Sequence, residues 1–115
     1  MAAITKVKEV NLEHGYPTAD VAVRNMVDHL GTCKRQGVRS VVLIHGYGSS
    51  GVGGSIKMAV QRKLKEPSMV GLIRMTCPGE DWMDRKKIML NSCPGLKDYE
   101  SRISGNYGVT VVILK

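Results

Sequence analysis

The chain has no phenylalanine, one tryptophan and four tyrosines among 115 residues. So few rings argue against an RNA binder built on an aromatic platform. Cysteine is also scarce: Cys33, Cys77 and Cys93 are odd in number and widely spaced. There is no C-x-x-C pair and no neighbouring His pair, so neither a structural zinc site nor a secreted disulfide framework is expected. Reduced thiols in a cytoplasmic setting are the expectation. No apolar run approaches the ~20 residues of a membrane helix, so no membrane span is expected. The opening Met1-Ala2-Ala3-Ile4-Thr5-Lys6 lacks the apolar core of a secretory leader. Acid is in deficit, with ten Asp and Glu against 17 Lys and Arg, a net charge of +7. A basic domain of this size often meets phosphates; solubility alone is the competing explanation.

What is present fits an ordinary globular chain, 43% hydrophobic and 23% charged. Its length predicts one domain over residues 1–115. Lys6 to Leu12 alternates imperfectly and reads as a short strand. Gly15-Tyr16-Pro17 breaks it, and Thr18 can cap a helix with Asp20 in its first turn. Val23, Met26, Val27 and Leu30 then recur at helical spacing, with Gly37 as the stop. Val38 to Ile44 holds four consecutive apolar residues, the mark of a strand buried on both faces. Ser55 opens a second helix with Ile56, Ala59, Val60 and Leu64 inward and Lys57, Gln61, Arg62 and Lys65 outward. Met69 to Thr76 is the third strand and Trp82 to Leu90 a short helix. A polar stretch leads to the β-branched strand Val109 to Leu114, which can run antiparallel. The order β-α-β-α-β, a short-helix insert, then β predicts an α/β fold: a two-layer sandwich on a mixed four-stranded sheet.

The second strand ends in His45-Gly46-Tyr47-Gly48-Ser49-Ser50-Gly51-Val52-Gly53-Gly54, five glycines in nine residues from 46 to 54. A glycine-rich loop between a strand and a helix aims backbone N–H groups at a helix N-terminus, an anion site. Gly46 to Gly51 matches G-x-G-x-x-G, but no acidic strand end follows to hold a ribose. Gly48 to Ser55 nearly spells a phosphate-binding P-loop, but Gly54 stands where the lysine belongs. The lipase pattern G-x-S-x-G fails because Gly51 directly follows Ser50. His45, at the strand end, suits proton transfer near neutral pH; a carbonyl-bonded structural imidazole is the equal alternative. His14 holds the same place after the first strand, so both imidazoles converge if those strands are neighbours. Lys57 and Arg62, with Arg39, Lys65 and Arg74, can ring the loop with positive charge; a solvated helix face is the commoner fate. Tyr47 is the aromatic placed to stack on a base. Glu80 and Asp81 read as a wet turn, and no metal-ligand set is legible.

The segment Val42-Leu43-Ile44-His45-Gly46-Tyr47-Gly48 resembles the I-H-G-x-G signature of the Smr (small MutS-related) domain. The helix Ser55 to Val60 and the closing Gly105-Asn106-Tyr107-Gly108-Val109-Thr110-Val111 fit it as well. The resemblance implies a β-α-β-α-β-β domain similar to the C-terminal domain of translation initiation factor three. Such domains nick DNA, cleave RNA, or only bind nucleic acid or ribosomes. The family's first-strand D-L-H-G is Asn11-Leu12-Glu13-His14-Gly15 here: Asn replaces Asp, with one extra residue. Only Glu13 can then stand in for that carboxylate. The insert between the third and last strands, about residues 78–104, is longer than in a minimal member.

The resulting expectation is a domain that binds DNA or structured RNA and nicks it. His45, His14 and Glu13 would be catalytic. Gly46, Tyr47, Gly48, Ser49, Ser50, Gly51, Gly53, Gly54, Ser55, Lys57 and Arg62 would hold phosphate. Mg²⁺ or Mn²⁺ is the cofactor class in view. Binding without cleavage is the alternative, and a small-nucleotide binder comes third.

Overall fold

The structure, a computed structural model, describes residues 6–15, 17–46 and 53–115. Strand β1 (Val7–Asn11) leads to helix α1 (Ala19–Arg35) and strand β2 (Ser40–Ile44). Helix α2 (Gly53–Leu64) precedes strand β3 (Ile73–Pro78). Helices α3 (Trp82–Ser92) and α4 (Glu100–Ile103) come before strand β4 (Val109–Leu114). The sheet order is β1-β2-β4-β3. β1 runs parallel to β2, and β4 runs antiparallel to both its neighbours.

Local chemistry accounts for most boundaries. Thr18 Oγ1 accepts the Val21 N–H at 3.3 Å and starts α1. Gly37, at φ +79°, takes the left-handed step that ends it. Ala22, Met26, Leu30 and Cys33 are the fully buried face of α1, with Val23 and Val27 at its margin. α2 begins at Gly53, two residues before the expected Ser55. The third strand starts four residues later than expected. Pro67 to Met69 forms a 3₁₀ turn, and the Leu72 N–H closes back on Met69 O at 3.0 Å. Proline's fixed φ suits the first position of such a turn, which takes these residues out of the strand. The polar stretch before the last strand holds a 3₁₀ segment, Pro94–Tyr99, and α4. Leu96 and Ile103 anchor it, both fully buried.

The expected mixed sheet is present, with helices on both of its faces. Val41, Leu43, Val112 and Leu114 pack with α1 and α2. The alternate residues Val42, Val111 and Ile113 pack with Trp82, Met89, Cys93, Leu96 and Ile103. The insert therefore adds a third layer to the expected sandwich, because its apolar residues seal the face that two helices leave bare. All six residues of β4 are buried, as a strand between two helical layers must be. Trp82 is the largest of the fully buried side chains, and its indole N–H donates to Glu100 Oε2 at 2.9 Å. Cys33, Cys77 and Cys93 are buried thiols, and burial pushes the Cys77 thiol up to about 11.

Strand directions fix where a site can form. β1, β2 and β3 all end at the edge where β4 begins, with Asn11 beside Ile44, Ile44 beside Val109, and Pro78 beside Thr110. That edge gathers the segments after three strands.

If the insert is an integral layer, Trp82→Ala lowers unfolding free energy by about 3–5 kcal/mol. Met83, 66% exposed on the same helix, is the control, and Met83→Ala changes it by under about 0.5 kcal/mol. Urea unfolding followed by circular dichroism compares them. Equal stability of the two variants would contradict the third layer's role.

Candidate nucleic-acid interface

The turn after β2 is held by one acceptor. The N–H groups of His45 and Gly46 both donate to Gly108 O, at 2.9 and 3.0 Å. Gly46 sits at φ +73°, and a Cβ there would overlap the Glu13 carboxyl group. The left-handed φ reserves this position for glycine, and any side chain there would also displace the Glu13 carboxyl. Glu13 reaches this place because β1 and β2 are parallel neighbours, the Leu12 N–H bonding Ile44 O at 2.8 Å. Asn11 Oδ1 accepts the Glu13 N–H at 2.8 Å and turns the chain, an Asx turn. The half-buried Glu13 carboxyl thus rests on Gly46, and exposed His14 follows it on the same edge.

His45 has no exposed surface. Its Nδ1 lies 2.6 Å from Gly46 O and its Nε2 2.8 Å from Thr110 Oγ1. A carbonyl only accepts, so Nδ1 carries the proton. Nε2 then accepts from the Thr110 hydroxyl. Burial lowers the His45 pKa; the Gly46 carbonyl opposes the shift, Lys57 adds to it, and Glu80 opposes it. The ring is neutral at neutral pH, with both nitrogens engaged. It does not face solvent as a strand-end imidazole could.

Lys57, expected on the wet face of α2, reaches across to Glu80 Oε2 at 2.8 Å. Its side chain is 14% exposed and that of Glu80 23%. Burial raises the Glu80 pKa, but Lys57, the residue's own backbone N–H and His45 outweigh it and leave the carboxyl below its ordinary value. The Lys57 ammonium also lies 5.2 Å from the centre of the Tyr107 ring. Arg62 is exposed, as expected, and Ser55 is exposed as well. α2 has no acidic residue in its first turn, so the positive end of its dipole is not offset by a carboxylate of its own. Gly53 and Gly54 open that helix; Tyr47, Gly48, Ser49, Ser50 and Gly51 lie outside the described residues. Beside this edge is a cleft of about 370 Å³ lined by Gln61, Lys65, Thr76, Glu80, Arg85 and Thr110.

The Lys57–Glu80 pair, Thr110 and Tyr107 are the site residues that sequence reasoning passes over. Thr110 leaves a trace: it is the polar residue on the strand face shared by Val112 and Leu114. Among the described residues no three His, Cys, Asp or Glu side chains gather to hold a metal ion. No described helix is long and apolar enough to cross a membrane.

Two outcomes follow. Gly46→Ala destabilises the fold by about 1–3 kcal/mol, the scale of a strained backbone position, read by thermal or urea unfolding. Neutral stability would contradict the turn's described geometry. The fold also favours neutral His45, so the unfolded chain takes up that proton first. Stability therefore falls as pH drops below the ordinary imidazole value of 6.5, a window above the ordinary carboxylate value of 4.5. The melting temperature of the wild type declines across that window and His45→Gln flattens the decline; equal slopes would contradict the burial of a neutral ring.

The Smr domain family model matches residues 10–115. The crystal structure of the Smr domain of Thermus thermophilus MutS2 superposes with a TM-score of 0.59. It is 22% identical, covering 94% of this chain and 98% of that one, and at that identity the likeness speaks for the fold. No curated protein matches. With the family model matching nearly the whole described sheet and its helices, the chain belongs to the Smr domain family.

Proposed function

We propose that this Smr domain binds DNA or structured RNA along the carboxyl edge of its sheet and nicks the phosphodiester backbone there. The observation that carries the reading is the parallel pairing of β1 and β2, which sets the Glu13 carboxyl on Gly46 and puts His14 on the same edge. The net charge of +7 favours a polyanion. The amides of His45 and Gly46 are committed to Gly108, so a phosphate is better served by the first turn of α2, at Gly53, Gly54 and Ser55. Arg62 adds an exposed cation on that helix. The loop residues from Tyr47 to Gly51 belong to the same proposed contact.

In the hydrolysis, Glu13 takes a proton from water as its oxygen bonds to phosphorus. The bond to the leaving oxygen breaks, and His14, as the general acid, gives that oxygen a proton. His45 positions the turn through Gly46 and Thr110. Mg²⁺ or Mn²⁺ would offset phosphate charge, with Glu13 the carboxylate nearest the turn. The reading takes residues 1–115 as one domain, with segment 78–104 as its second helical layer. The buried thiols suit a cytoplasmic setting.

Binding without cleavage is the second reading. Asn11 favours it, since this residue occupies the family's acidic position and uses its side chain on the Glu13 N–H.

The test is nicking of supercoiled plasmid, with and without Mg²⁺ or Mn²⁺, alongside gel-shift binding on the same samples. Glu13→Gln and His14→Ala slow nicking by about 10²–10⁴-fold, the worth of general acid–base groups, while binding persists. Affinity falls steeply with salt. Binding with no nicking by the wild type establishes the second reading, and salt-insensitive binding contradicts both.

A further inference from the structure

We propose that Tyr107 is a stacking platform for an unpaired nucleobase, so that the preferred substrate carries single-stranded nucleotides at this edge. The inference rests on the nucleic-acid reading of that edge and narrows its substrate class. Among the described aromatic side chains, Trp82 is fully buried and Tyr99 packs against the second core. Tyr107 is 56% exposed. It stands in the loop between α4 and β4, and that loop is firmly held. The Gly105 N–H donates to Gly79 O at 3.0 Å, and the Gly108 N–H donates to Asn106 Oδ1 at 2.8 Å. Asn106 Nδ2 donates to Arg102 O at 2.9 Å. Gly79 has no room for a side chain, because a Cβ there would strike Ile103 O and Val109 Cγ2. The ring is therefore displayed on ordered backbone, and little ordering remains to be done when a ligand arrives.

Three features select a base. Gly108, the next residue, accepts both turn amides of His45 and Gly46, so the ring adjoins the proposed backbone contact. The Lys57 ammonium, 5.2 Å from the ring centre, holds the ring electrostatically and is itself held by Glu80. An exposed aromatic ring beside a backbone-binding edge receives a base by its π-face without reading sequence. Bases within an intact duplex are already stacked on one another and cannot lie on a protein ring. Gaps, overhangs, loops and single strands can offer one.

The experiment measures anisotropy of labelled oligothymidylate, oligouridylate and a blunt DNA duplex with wild type, Tyr107→Ala and Tyr107→Phe. Melting temperatures are taken in parallel, and the exposed ring predicts little change. Tyr107→Ala weakens single-strand binding by about tenfold or more, leaves duplex binding within about twofold, and Tyr107→Phe retains wild-type affinity. Loss confined to the thymidylate or the uridylate supports the platform and names which of the two strands it serves. Undiminished single-strand binding by Tyr107→Ala, or equal loss on single strand and duplex, overturns the platform while leaving the nucleic-acid reading standing. Failure of the wild type to bind any of the three probes overturns both.

Discussion

Two amide hydrogens, from His45 and Gly46, converge on the carbonyl oxygen of Gly108. That acceptor ties the end of β2 to the start of β4 across the centre of the sheet. It forces the chain into the left-handed step at Gly46, and the missing side chain there makes the space that Glu13 fills. The same step turns the Gly46 carbonyl back to meet the His45 ring. β1, β2, β4 and the loop before β4 thus meet at one turn. The candidate site is a by-product of how the sheet closes.

The electrostatics of this edge are set by burial as much as by net charge. His45 stays neutral because it lies in the interior between two partners. Lys57 does not present a free phosphate-binding charge, since Glu80 shares it. A partly buried pair of this kind gains more than an exposed one, but each ion also loses hydration, so its value here is orientation. It fixes the lysine between the segment after β3 and the loop before β4. The exposed cations that remain to attract a polyanion include Arg62 on α2 and Lys65 just after it. Such charges set affinity and salt dependence and leave sequence unread.

Much of the architecture is legible in the letters, for local reasons. Thr18 and Gly37 mark the ends of α1 because capping and the left-handed step depend on single residues. The apolar run Val41 to Ile44 marks a central strand because both its faces are covered. That the segments after β1 and β2 share one edge follows once the two strands are neighbours, whereas the seat of the Glu13 carboxyl on Gly46 is seen only in the structure. What is not legible is long-range. Met69 to Leu72 is as apolar as a strand, and only the turn set by Pro67 removes it. Leu96 and Ile103 are isolated among polar residues, so the layer they build has no period to betray it. The pairing of Lys57 with Glu80 joins residues 23 positions apart and leaves no sequence pattern. The buried contact of His45 with Thr110 likewise joins residues 65 positions apart.

The central claim is that the carboxyl edge of the sheet, and not its opposite end, meets nucleic acid. The opposite end is also basic, with Lys34 and Arg35 closing α1 and Arg39 entering β2. Amide ¹H–¹⁵N spectra recorded during titration with an oligonucleotide separate the two directly. The account predicts that perturbed resonances cluster at Leu12 to His14, His45, Gly46, the first turn of α2, and Tyr107 to Gly108. Perturbations centred instead on Lys34, Arg35 and Arg39, with the carboxyl edge silent, would contradict it.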